Sequence, residues 1–255
     1  RMALGSGPGA GPRWNRDLPS MVALHRSRGM TAMGAWSRKE FEESPRDLLS
    51  RDSWLKPRVY RVLGPSGPCI VKDVAGLGFF GRFLGRWLLA RETRALGKLD
   101  GVDGVPQILR RLDRDALAMS LLPGRPLCKE SFLRQPRGIT DRLLLLADAI
   151  HERGVFHMDL RQRQNILLDD QGGVGLVDFG AAFSPGRLGR LVFGRRLSWV
   201  DCQGVTKFLA RWSPSELTLE EARGVLCAQR LRRLWIFTPH IPDGEEEGAR
   251  EKLKG

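Results

Sequence analysis

The sequence predicts an α+β fold in which strands and helices are segregated along the chain. Three observations predict it. Two β-branched runs, VYRVLG and PCIVKDV, flank a Gly-Pro-Ser-Gly turn at 64–67. A second pair of short apolar runs lies around 107–112 and 116–122, with Asp113 to Asp115 between them. Beyond residue 138 the patterns are mainly helical, broken by one small hairpin at 165–178. Strands followed by helices favour α+β over a repeating βα sheet.

The elements follow in order. Residues 1–20 are rich in Gly and Pro and are expected to be disordered; RMALGSGPGAGPRW lacks the apolar core of a signal peptide. The initiating residue is expected at Met2, Met21, Met30 or Met33. SRKEFEESPRDLLS carries two short helical patterns split by Pro45, with Ser37 as N-cap and Glu40 three residues on. After the first hairpin, Phe79, Phe83, Trp87, Leu88, Leu96 and Leu99 recur at helical spacing, and Gly97 and Gly101 mark a fraying end. ITDRLLLLADAIHERGV reads as a buried helix capped by Thr140 and ended by Gly154. The strands NILLDD and VGLVD are joined through Gln171-Gly172-Gly173. Residues 187–212 are basic and amphipathic, 215–235 look helical, and Pro239 and Pro242 stop that pattern. EEEGAREKLK is expected to be a solvated tail.

Composition narrows the function classes. The chain has 255 residues, enough for one large domain or two small lobes that bury about 70–75% of the unfolded surface. Apolar residues make up 42%, which excludes wholesale disorder. The formal charge of +13 points to an anionic partner, namely nucleic acid, phosphorylated lipid or nucleotide, or else to a solvated arginine-rich surface. Cys69, Cys128, Cys202 and Cys227 form no C-x-x-C pair, so neither a zinc site nor a disulfide framework is expected and a reducing compartment is the simplest. No run of 18 uncharged apolar residues predicts a spanning helix.

The chemistry concentrates in HMDLRQRQNILL, residues 157–168, followed closely by LVDFG. Lys72 lies on the second strand of the first hairpin, and Glu92 follows it by twenty residues on the next helix. An ammonium on a strand reaches phosphates only if a carboxylate holds it; the alternative is a surface Lys72 pairing with Asp73 beside it. Asp159 follows His157 by two and offers a carboxylate of the kind that accepts or orients a hydroxyl proton. Asn165 and Asp178 offer the hard oxygens that Mg²⁺ accepts, and Gly180 lets the chain turn after Asp178. His157 is expected to pack within the loop.

These residues, with MSLLPGRPL and the ARETRAL helix, resemble the protein-kinase-like superfamily over roughly residues 55–212. More narrowly, it resembles small bacterial members, namely atypical RIO-type kinases and lipopolysaccharide-core sugar kinases. The resemblance implies a bilobal fold with a small β-rich N-lobe over 21–122, a reduced helical C-lobe over 123–237 and a tail over 238–255. It implies an ATP- and Mg²⁺-dependent kinase. Lys72, held by Glu92, would grip phosphates, Asp159 would be the catalytic carboxylate, and Asn165 and Asp178 would bind Mg²⁺. Adenine would meet the backbone at Ser120, Leu121 and Leu122, between Ile70 and Leu167. Asp201 would anchor the catalytic loop from a later helix.

Three features depart from the usual pattern. Asp159 and Asn165 stand six positions apart instead of five, which leaves Gln164 as a substitute ligand. No Gly-rich loop precedes Lys72, where only KPRVYR is found. Nothing after DFG resembles an A-P-E segment. The expected acceptor is a protein Ser/Thr or a lipid-linked sugar, in the cytoplasm or peripherally on the inner membrane. Two basic-apolar stretches, 78–91 and 186–199, fit an anionic membrane surface, or core helices with snorkelling arginines; nucleic acid is a weaker expectation. The alternatives are a nucleotide-binding pseudokinase or scaffold, and a basic RNA- or membrane-surface binder.

Overall fold

Residue alternation builds the first sheet. In a computed structural model, which describes residues 36–50, 56–233 and 244–254, strand β2 (Arg58–Gly64) pairs antiparallel with β3 (Gly67–Asp73). Gly64 faces Gly67, leaving Pro65 and Ser66 at the tip, and Gly67 takes a φ of +111° that suits glycine. Along β3, Cys69 and Val71 join Val62, Trp36 and Phe41 in one buried cluster, whereas Ile70 packs on a second, larger one. The period of two thus sends Lys72 to the opposite face from its neighbours Val71 and Asp73.

Helix α1 (Arg38–Glu43) starts at a capping box, in which the Glu40 carboxylate accepts the Ser37 N–H at 2.6 Å. Its expected continuation beyond Pro45 is instead a strand, β1 (Arg46–Leu48), paired with β2. Three residues make too short a nucleus for a helix, and the edge of β2 satisfies their backbone directly. Strands β4 (Ile108–Arg111) and β5 (Ala116–Ser120) complete an antiparallel sheet of order β1-β2-β3-β5-β4.

Helix α2 (Phe79–Lys98) covers this sheet. It buries Gly81, Gly85, Leu89, Glu92 and Leu96, a spacing of three and four that defines one face. The face is unusual because its first two members are glycines. A Cβ on Gly85 would stand 2.7 Å from Val74 Cγ1, so the bare backbone lets the helix sit against the end of β3. Gly97 lies within the helix, which runs on to Lys98, and Gly101 at φ +72° turns the chain after it.

The second sheet, of order β6-β7-β8, comprises Arg125–Pro126, Ile166–Leu168 and Val174–Leu176. Helices α3 (Lys129–Phe132), α4 (Pro136–Glu152), α5 (Arg187–Trp212), α6 (Leu219–Arg233) and α7 (Glu245–Lys254) make up the remainder. Helix α4 begins a turn before Thr140, because Pro136 is preorganised for the first helical turn. Thr140 is therefore interior, and its Oγ1 donates to the Pro136 carbonyl at 2.9 Å. One continuous apolar cluster links Leu117 and Met119 of β5, Leu89 and Leu96 of α2, and Leu143, Phe208 and Val225 of the later helices.

The segment EEEGAREKLK is not a solvated tail. It forms α7 and packs on α5 and α6, with Glu245 and Ala249 fully buried. The Cα of Gly248 lies so close to the Ala210 carbonyl that a Cβ would collide with it. The disorder expected for 1–20, the structure of 21–35, and Pro239 and Pro242 lie outside the described residues. Among the described residues no helix is long and apolar enough to cross a membrane.

The two glycines of α2 separate propensity from packing. Gly97→Ala has open space around the new methyl and should stabilise the protein by about 0.5–1 kcal/mol. Gly85→Ala gains the same propensity but meets Val74, and overpacking of about 1–3 kcal/mol makes it destabilising overall. Urea denaturation of the two variants should give opposite signs.

Candidate active site

The interior face of β3 delivers Lys72 to two carboxylates. Its Nζ lies 2.7 and 2.9 Å from the Glu92 oxygens and 2.7 Å from Asp178 Oδ1. Asp73 does not pair with it; that side chain takes a bidentate contact from Arg38 at 2.9 Å. Glu92 comes from the buried stripe of α2, and Asp178 from the end of the chain leaving β8, 106 residues from Lys72. Glu92 also accepts the Phe179 N–H at 3.2 Å, so one carboxylate ties strand, helix and DFG turn together.

The two carboxylates share a cation and titrate in opposite directions. Burial raises Glu92 above its ordinary value, outweighing the pull of Lys72. Lys72 holds Asp178 below its own, its charge and hydrogen bond outweighing the burial that would raise it; the Asp178 side chain is 56% exposed. Burial alone would depress Lys72, but the two anions together raise it. With all three ionised the cluster carries one net negative charge, on an open carboxylate that invites a further cation.

A second node fixes the loop after α4. Asp201 of α5 is buried, and its carboxylate accepts the His157 and Met158 backbone N–H groups, each at 2.7 Å. It also lies 3.0 Å from His151 Nε2, against Phe156. These bonds hold Met158 at φ +66°, a conformation that costs a non-glycine residue about 1–3 kcal/mol. Asp178 has a similar φ of +67°. Burial lowers the His157 imidazole below its ordinary value; its Nε2 donates to the Val177 carbonyl at 3.1 Å and its ring meets Phe179. Through His157 the loop carrying Asp159 is attached to the strand end carrying Asp178.

Asp159 and Asn165 face each other across this loop. Asn165 Nδ2 donates to Asp159 Oδ2 at 2.9 Å and to its carbonyl at 3.1 Å, which turns the Asn165 side-chain oxygen away from Asp159. Two successive turns absorb the extra residue: Gln162 N–H bonds the Asp159 carbonyl, and Asn165 N–H bonds the Gln162 carbonyl. Asn165 is buried as a result, whereas Gln164 is exposed. Burial raises the Asp159 carboxyl, against the Asn165 hydrogen bond and the more distant charge of Lys56.

The expected adenine contacts separate. Ser120 ends β5 and gives its N–H to the Gln107 carbonyl at 2.8 Å, so that donor is committed within the fold. Leu121 and Leu122 follow outside the strand. Leu122 and Leu167 of β7 approach the same point over Gly175, and Ile70 packs on the larger core from β3.

One connection has no precedent in the sequence reading. Arg161, two residues past Asp159, places Nη2 at 2.6 and 2.7 Å from the buried Glu245 of α7. Gln229 donates to the same carboxylate, and Lys207 Nζ lies 3.7 Å from it. The available signal was the Gly-Ala step inside EEEGAREKLK, which marks a face for close packing.

No family model matches the chain. Over 60 residues, 23% of its length, the chain is 42% identical to a Caenorhabditis elegans protein named "Putative ribosomal protein S6 kinase alpha-2". The match spans 8% of that protein. A part of this chain is thus similar to a part of a kinase.

Lys72→Met should test the cluster without any substrate. It leaves Glu92 buried without its cation and should cost about 3–5 kcal/mol at neutral pH. The wild-type contribution of Asp178, whose folded value is depressed, is present above its unfolded value and lost as pH falls through the folded one. In the variant, acid neutralises the stranded Glu92, whose folded value is raised, and relieves the penalty. Denaturation across pH 7 to 4 should therefore show the deficit shrinking; a constant deficit contradicts the assignment.

Proposed function

We propose that the chain is an ATP- and Mg²⁺-dependent phosphotransferase acting on a hydroxyl acceptor. The contact of Lys72 with both Glu92 and Asp178 carries this reading, since it gathers a phosphate-binding cation and a metal-binding carboxylate from distant parts of the chain. The partial likeness to a kinase supports it. We read the five-stranded sheet with α2 as the smaller lobe, and the second sheet with α3 to α7 as the larger, with the site between them.

The residues fit the groups this reading implies. Two hard oxygen donors, Asn165 and Asp178, suit a cation that keeps phosphate and water among its ligands. Among the described residues no cluster of three or more His, Cys, Asp or Glu could hold a metal by itself, so nucleotide phosphates would complete the shell. Mg²⁺, when bound, neutralises charge developing on the transferred phosphoryl group.

The other roles belong to the chain. Lys72 binds the α- and β-phosphates, and Glu92 orients it. Asp159, its carboxyl raised by burial, accepts the proton of the attacking hydroxyl and aims its oxygen at phosphorus. Asn165 keeps Asp159 oriented with one atom and offers oxygen to metal with another. Leu122, Leu167 and Ile70 supply apolar walls for the base, and the backbone at Leu121 and Leu122 supplies its hydrogen bonds, with Ser120 excluded as donor. The acceptor is a protein Ser/Thr or a lipid-linked sugar, in the ATP-containing cytoplasm. The missing Gly-rich loop favours a second reading, a nucleotide-binding pseudokinase.

The test incubates pure protein with labelled ATP and a cell extract split into protein, RNA and lipid fractions. Label should enter the protein or lipid fraction. Asp159→Asn should lower transfer about 10²–10⁴-fold while ATP affinity holds, and Asp178→Asn should weaken binding of Mg·ATP itself. Binding without any transfer supports the pseudokinase, and wild-type-like Mg·ATP binding by Asp178→Asn removes the site.

A further inference from the structure

Helix α2 wears its amphipathicity inside out. Its first half buries Gly81 and Gly85 and turns Phe79, Phe80 and Phe83 to solvent, with Phe79 85% exposed. A surface helix ordinarily does the reverse, and the reading of 78–91 as a core helix with snorkelling arginines fails on this geometry. Helix α5 repeats the arrangement. All its buried residues lie between Asp201 and Ala210, while Leu188, Leu191 and Val192 stand exposed, Leu191 at 83%.

Helix α2 touches the chain that leads into α5. Arg91 of α2 stacks on Trp87 at 4.6 Å and donates to the Ala181 and Ala182 carbonyls, five residues before α5 begins. Phe183, exposed, lies between. The charge within the two stretches is of one sign. Residues 78–91 hold three arginines and 186–199 hold four, with no Asp or Glu in either stretch. Asp115 from β5's approach pairs with Arg82 and Arg86 and offsets part of the first set. Arg187, Arg195 and Arg196 are exposed.

We propose that this face docks on an anionic lipid bilayer, the apolar residues entering the headgroup boundary and the arginines meeting lipid phosphates. Charge complementarity selects the occupant. A second copy of the chain in a two-fold contact would set arginine against arginine. An RNA would take the arginines but leave the three exposed phenylalanines and the aliphatic row of α5 without burial unless its bases were unstacked. The docking needs no nucleotide and stands apart from the phosphotransferase reading.

Flotation with vesicles tests it, using phosphatidylcholine alone and phosphatidylcholine with roughly a third phosphatidylglycerol. Wild type should float with the anionic vesicles only, and less as salt rises. Phe83→Glu and Leu191→Glu should each weaken flotation at least about tenfold, with melting temperatures unchanged because both sites are exposed. Phe80→Ser and Leu188→Ser provide milder substitutions should either glutamate variant misfold. Wild type that does not float, or variants that float equally well, would overturn the proposal. So would a dimer that the glutamate variants dissociate, or an RNA affinity that they reduce while flotation stays.

Discussion

A lysine inside a protein keeps its charge only where anions or other polar groups replace its lost water. Here that constraint falls on Lys72, and it organises the fold around itself. The two anions come from helix α2 and from the turn after β8, so strand, helix and turn must all be in place before the ammonium is compensated. Glu92 adds a hydrogen bond to the Phe179 N–H, which fixes the turn against the helix. Gly85 lies on the same buried face of α2 two turns before Glu92, where a bare backbone lets the helix sit close against Val74.

Asp201 supplies a second constraint of the same kind with the signs exchanged. A buried carboxylate is satisfied by two backbone N–H groups and a histidine, and those bonds hold a left-handed residue immediately before Asp159. Helix α7 then clamps the far side of the same loop through Arg161 and Glu245. The loop from His157 to Asn165 is therefore gripped by two helices that follow it in sequence. Its geometry depends on segments with no chemistry of their own.

Much of this was legible in the residues, for identifiable reasons. The hairpin around Gly64 to Gly67 announced itself through β-branched runs and turn chemistry. Asp159, Asn165 and Asp178 were visible because they stand close together in the chain, and Lys72 and Glu92 because they fall on a strand and on the helix after it, twenty residues apart. The anchoring role of Asp201 could be placed once the loop motif was recognised. Other features were hidden. Strand β1 has too few residues for any period, and its conformation comes from the edge of β2. Thr140 has a capping side chain, but the proline four residues earlier decides where the helix starts. Glu245 reads as one charge in a solvated run, and only tertiary packing reveals that it is fully buried. The commitment of the Ser120 N–H to Gln107 likewise follows from strand register.

The central claim is that Lys72, Asn165, Asp159 and Asp178 together form a crevice for a metal-bound triphosphate. The most direct measurement is the melting temperature of the pure protein with ATP alone, with Mg²⁺ alone and with both. A ligand that binds only the folded state raises stability by RT ln(1 + [L]/Kd). With Asn165 and Asp178 as the proposed metal donors and a net negative charge on the cluster, the account predicts a clear rise with Mg²⁺ and ATP together and little with either alone. A melting temperature unmoved by millimolar Mg·ATP would contradict it.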